Sequence, residues 1–98
     1  MDTHAFNEQL KAEGYDEVLT RTFPAHASLA THTHPFGAKV LVLEGEITLG
    51  RNGALTTYSP GDIYTVDIGC EHSEQYGSAG AILLAGRKHG VVAQTAAA

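Results

Sequence analysis

Beyond residue 15 the chain is written in short apolar and β-branched runs, separated by turn signals every eight to twelve residues. Glu17–Phe23 alternates in part and ends at Pro24. Ala25–Thr31 predicts a second extended segment, and Lys39–Leu43 is apolar on both faces from Val40 onward, as in a strand covered on both sides. One of those faces suits a barrel interior; the other needs cover from a second layer or a second subunit. Glu44-Gly45-Glu46 reads as a turn, with Ile47-Thr48-Leu49 as the returning strand. Asn52-Gly53 is the strongest hairpin signal and leads into Leu55–Tyr58. Ser59-Pro60-Gly61-Asp62 has the order of a type II turn, followed by the strand Ile63–Val66. After a turn at Gly69, His72, Glu74 and Tyr76 alternate on one strand face, Gly77 and Gly80 flank a short connection, and Ala81–Gly86 forms the last strand. About eight short strands at this spacing predict an antiparallel sandwich or barrel.

The first residues follow a different rhythm. Over Thr3–Glu13, Phe6 and Leu10 stand four apart on one helical face, Asp2 or Thr3 can cap the start, and Gly14 supplies a stop. A helix this short is marginal alone in water, so its Phe6–Leu10 stripe is expected to pack onto the outside or end of the sheet. The predicted layout is one domain over residues 1–98: a helix in 1–14, a barrel in 15–90 and a mobile tail in 91–98.

Composition narrows the function. Eleven glycines against three prolines suit many tight turns. The formal charge is −5, with six basic residues spread along the chain, which argues against nucleic-acid binding. No apolar run approaches the roughly 20 residues that span a bilayer, and the N-terminus lacks the order of a signal peptide. The single Cys70 can form no intrachain disulfide, and a reducing, cytoplasmic setting is expected.

The chemistry centres on His32-Thr33-His34, just ahead of the Val40 run. On an extended strand residues i and i+2 share a face, about 6.6 Å apart. Two neutral imidazoles there can close on one transition-metal ion at about 2.0–2.1 Å. The same pair can equally be solvent-facing.

The chain resembles the cupins, small β-barrels on the jelly-roll plan. Their first motif is Gly, five residues, His-x-His, three or four residues, Glu, six residues, Gly. It falls here on His26, His32, His34, Ala38 and Gly45. The second is Gly, five residues, Pro-x-Gly, two residues, His, three residues, Asn. It falls on Gly61, Asp67, Gly69, His72 and Tyr76. Val42–Glu46 and Pro60-Gly61-Asp62 are also typical of the family. His26, Ala38, Asp67 and Tyr76 depart from the pattern.

The resemblance implies a metal held by His32, His34 and His72, the identity open among iron, manganese, nickel, zinc and copper. Ala38 stands where most metal-binding cupins place a glutamate ligand, and a methyl group coordinates nothing. Cupins with three-histidine sites include cysteine dioxygenase-like and diketone-cleaving dioxygenases. A barrel that has given up its metal is the alternative. Glu74, two residues beyond His72, shares its strand face if the strand is regular. It is then a replacement ligand, a carboxylate orienting an imidazole, or a catalytic general base beside bound water. Tyr76 continues the face and either donates a hydrogen bond to a ligand or packs at the barrel mouth.

The other candidates are weaker. His26 lies close before the first motif; His4 and His89 lie near the termini. Arg87 and Lys88 close the last strand, where a cation could meet a substrate carboxylate or simply form a solvated end. Cys70 reads as a turn residue, with Glu71 beside it opposing a thiolate. Two functions remain in competition: metal-dependent chemistry on a small organic molecule (dioxygenase, isomerase or lyase), or a non-catalytic module that binds a small ligand or a metal. A homodimer is expected from the family habit and from the two-faced Val40–Leu43 strand.

Overall fold

The computed structural model describes residues 1–89, and the tail expected at 91–98 lies outside the described residues. The elements are α1 (Thr3–Ala12), β1 (Glu17–Phe23), β2 (Ser28–His32), β3 (Gly37–Arg51), β4 (Ala54–Tyr58), β5 (Ile63–Val66) and β6 (His72–Lys88). All pairings are antiparallel. The two long strands, β3 and β6, lie side by side and pair along most of their length. β1 joins the far edge of β6 over its second half and β2 over its first. β5 and β4 join the far edge of β3 in the same way. The result is a jelly-roll of two halves strung on two continuous strands.

Those strands depart from the sequence reading. Glu44-Gly45-Glu46 is a bend inside β3, and Gly77–Gly80 lies inside β6. The register slips on either side of Gly45, which faces Ala81. Gly45 (φ +77°) and Gly80 (φ +69°) occupy the left-handed region. A Cβ on Gly45 would fall 2.0 Å from the Gly80 carbonyl oxygen, and one on Gly80 would fall 2.2 Å from the Phe23 carbonyl oxygen. Glycine here allows backbones to cross at a corner; the chain does not reverse. Each long strand therefore counts as two of the eight expected segments.

The two short turns match expectation. Asn52 (φ +54°) and Gly53 (φ +77°) both take positive φ, as a type I′ hairpin requires. Gly61 (φ +94°) supplies the positive φ of the type II turn, which Asp62 N–H closes onto the Ser59 carbonyl at 2.9 Å.

Side chains from alternate positions fill the interior: Ala38, Val40, Val42, Ile47 and Leu49 of β3 meet Tyr76, Ala81, Leu83 and Ala85 of β6. The opposite face carries Leu41 and Leu84, which pack under Phe6 and Leu10 of α1. Asp2 caps that helix by accepting from Ala5 N–H at 2.9 Å. Leu10 is fully buried, and a Cβ on Gly86 would sit 2.7–3.2 Å from its side-chain carbons, so glycine there makes the socket for the helix. The cover that the two-faced β3 strand requires at Leu41 thus comes from the chain's own helix.

Candidate metal centre

β2 ends at His32, and its loop to β3 carries His34 and Phe36, while β6 opens with His72 and continues through Glu74. β2 and β6 pair with His32 opposite His72, so the two motifs meet at one strand boundary. The His32 ring lies 5.0 Å from His34 and 4.4 Å from His72, centroid to centroid, and His34 lies 4.8 Å from His72. One donor atom from each of His32, His34, His72 and Glu74 lies within 4.8 Å of the other three. Ligands held at about 2.1 Å around one ion are at most ~4.2 Å apart, so small side-chain rotations close the set.

Glu74 is the carboxylate that joins the three imidazoles. Its Oε2 lies 3.2 Å from His32 Nε2 and 3.4 Å from His72 Nε2. Its Oε1 accepts from the Tyr76 hydroxyl at 2.5 Å. Glu74 is 8% exposed, His72 1% and Tyr76 4%. Tyr76 stacks on Phe23 at 4.2 Å, which fixes the donor. Burial, and after it the bond to Glu74, push the Tyr76 phenol far above its ordinary pKa of 10, so it stays a neutral donor.

The hydrogen bonds set the tautomers. His32 Nδ1 lies 2.6 Å from the Ala30 carbonyl oxygen, and His72 Nδ1 lies 3.0 Å from that of Cys70. A carbonyl only accepts, so both Nδ1 atoms carry hydrogen, and a neutral ring then leaves Nε2 as an acceptor. Both acceptors face Glu74 Oε2, itself an acceptor. Three electron pairs converging in a buried site demand a cation between them, whether protons or a metal ion. His34 adds a third ring: its Nδ1 is buried without a partner, the one such side-chain atom among the described residues. Burial, then the neighbouring His72 and His32, hold its pKa below the ordinary 6.5, which keeps its lone pair free.

The cluster lies in a cavity of about 500 Å³ with largely apolar walls, including Phe23, Phe36, Val40, Tyr64 and Leu83. Arg21 and Arg87 also line it. Arg87 continues the inward face of β6 and sits opposite Ala38 in the register. Arg21 was not singled out by the sequence pattern, although its parity with Phe23 on β1 could have found it.

The remaining candidates lie outside the cluster. His26 is exposed in the β1–β2 turn at φ +60°, so the motif's glycine position is left-handed backbone that histidine fills here. His4 is exposed on α1. His89 pairs with Asp16 at 3.0 Å, and Lys88 lies over the Tyr15 ring at 4.7 Å. Cys70 contributes its carbonyl to His72, not its thiol. No helix among the described residues is long and apolar enough to cross a membrane.

A family model described as "Cupin domain" matches residues 19–85. No relative among the curated proteins matches. Among solved structures, a protein of unknown function from Rhizobium leguminosarum aligns at 22% identity and TM-score 0.70, covering 74% of this chain and 69% of that one. An RmlC-like cupin from Shewanella frigidimarina aligns at 22% identity and TM-score 0.66, covering 76% and 66%. The DMSP lyase DddQ from Ruegeria pomeroyi aligns at 20% identity and TM-score 0.68; this chain covers 38% of that protein with 76% of its own length. These likenesses show the fold.

Proposed function

The chain belongs to the cupin family, and we propose that His32, His34, His72 and Glu74 hold one divalent transition-metal ion at which a small organic molecule is transformed. The observation that carries this reading is the convergence of His32 Nε2 and His72 Nε2 on one carboxylate oxygen, with both Nδ1 atoms committed to carbonyls. The unpartnered His34 Nδ1 supports it. Three imidazoles and a carboxylate suit iron, manganese, nickel, zinc or copper, and the donor set alone selects none of them. Bound there, the ion would supply a Lewis acid with positions open to a bidentate oxygen ligand.

The chain's own residues do the rest. We assign Glu74 to ligation ahead of proton transfer, because Oε2 lies between two ring nitrogens and Oε1 is engaged by Tyr76. Glu74 thereby takes the role that Ala38 cannot fill. Tyr76 holds the carboxylate in one orientation, and the backbone carbonyls of Ala30 and Cys70 orient two rings. The apolar walls exclude water from the reacting end of a bound molecule.

Elemental analysis of the purified chain is expected to give one transition-metal ion per chain, lost in His72→Ala. Oxygen uptake and product formation with a panel of diketones, thiols and hydroxy acids would then follow the metal and vanish in His34→Ala. Metal bound at full stoichiometry without turnover of any panel member favours the non-catalytic binding module. Absence of metal from the wild-type chain after reconstitution refutes the centre.

A further inference from the structure

From the two arginines in the cavity wall we infer that the molecule transformed at this centre is a small organic acid, its carboxylate held by Arg21 and Arg87 and its apolar stem by the walls. This rests on the reading of the cluster as a metal centre acting on a small molecule. The chain carries a formal charge of −5, yet the cavity lining holds two guanidinium groups against the single carboxylate of Glu74. An acidic protein has thus gathered two of its six basic residues in the lining of one largely apolar cavity. Ala38 faces Arg87 across the β3–β6 ladder, so a glutamate at that position would have neutralised the second guanidinium.

Both side chains are placed by aromatic stacks that start at the centre. Arg87 lies 4.5 Å over Phe36, which stacks on His34 at 4.6 Å. Arg21 lies 5.1 Å over Phe23, which stacks on Tyr76, the donor to Glu74. A guanidinium held over a ring spends none of its N–H donors on it, so they stay available to a carboxylate. Arg21 makes no ion pair among the described residues. Among the described residues Arg87 pairs only with Glu17, at 3.6 Å and half exposed, a contact worth little in water. A bound carboxylate would outcompete it inside the cavity.

The test uses the full chain as purified, its metal content measured in parallel, with hexanoate and the uncharged hexanamide as probes in calorimetric titrations. Hexanoate is expected to bind at least tenfold more tightly than hexanamide. Arg21→Gln and Arg87→Gln are each expected to weaken hexanoate at least fivefold while leaving the metal stoichiometry and the hexanamide affinity unchanged. Arg87→Lys should recover part of the loss, and if Arg87→Gln does not fold, Arg21→Gln decides the matter. Equal affinity for the two probes, no hexanoate binding up to millimolar concentration, or indifference to both substitutions would overturn the organic-acid assignment with the metal centre left standing. Arginine-dependent hexanoate binding by a chain that takes up no metal would instead overturn the metal reading and leave the anion subsite in place.

Discussion

Tyr76→Phe removes one oxygen atom and tests how the centre is held. The ring keeps its shape, its stack on Phe23 at 4.2 Å and its place in the core, so no cavity larger than a hydroxyl opens. What is lost is a buried hydrogen bond to an ionised acceptor, worth about 1.5–3 kcal/mol. In a domain of this size that loss corresponds to a fall in Tm of roughly 6–24 °C, read by circular dichroism in the presence of a chelator. Metal affinity should fall separately, because Glu74 loses the partner that fixes Oε2 towards His32 and His72. Loss of such an orienting group costs about 10–100-fold in affinity. Competition against a chromophoric chelator, at a temperature where both proteins are folded, measures this apart from stability. An unchanged metal affinity would refute the claim that Tyr76 orients the carboxylate. An unchanged Tm would refute the buried charge-assisted bond.

Two further predictions address the helix socket and the third histidine. Leu10→Ala should destabilise by about 2–5 kcal/mol, and Gly86→Ala alone by about 1–3 kcal/mol because its Cβ meets the Leu10 side chain. The double variant should be more stable than the sum of the two losses predicts, since the added methyl enters the vacated socket; strict additivity in urea denaturation would count against that contact. For His34, burial lowers the pKa, so the metal-free fold binds fewer protons there than the unfolded chain does. Its contribution to stability is therefore lost as pH falls below the ordinary value of 6.5. His34→Gln should lose less stability than the wild type between pH 7 and pH 5, and parallel pH profiles would contradict the assignment.

Much of this was legible along the chain because it is local. Asp2, the Phe6–Leu10 spacing, Asn52-Gly53 and Ser59–Asp62 each fix their own conformation within four residues, and each appears as expected. The alternation of His72, Glu74 and Tyr76 likewise placed three side chains on one face. The bends at Gly45 and Gly80 were misread because a glycine marks positive φ without saying whether the chain reverses. That depends on the carbonyl of Gly80 or Phe23 lying across from it, more than thirty residues away in the first case and more than fifty in the second. Ala38 told only of a missing ligand, and the His72-x-Glu74 alternation offered a carboxylate on the same face; what no local pattern records is the pairing of β2 with β6 that sets His32 opposite His72. Arg21 shares its strand face with Phe23, but that β1 lines the cavity beside the cluster follows only from its pairing with β6.

The crossing of β3 and β6 at their glycine corner ties the two ends of the molecule together. His72 and Glu74 stand before the bend in β6, Leu84 and Gly86 beyond it, under the helix, so one uninterrupted piece of backbone carries both the donor atoms and the seat of α1. The cavity wall has some room to change, since Phe23 and Phe36 are only partly buried. The corner has no such latitude, since any side chain at Gly45 or Gly80 would prise the halves apart and spoil the centre along with the packing.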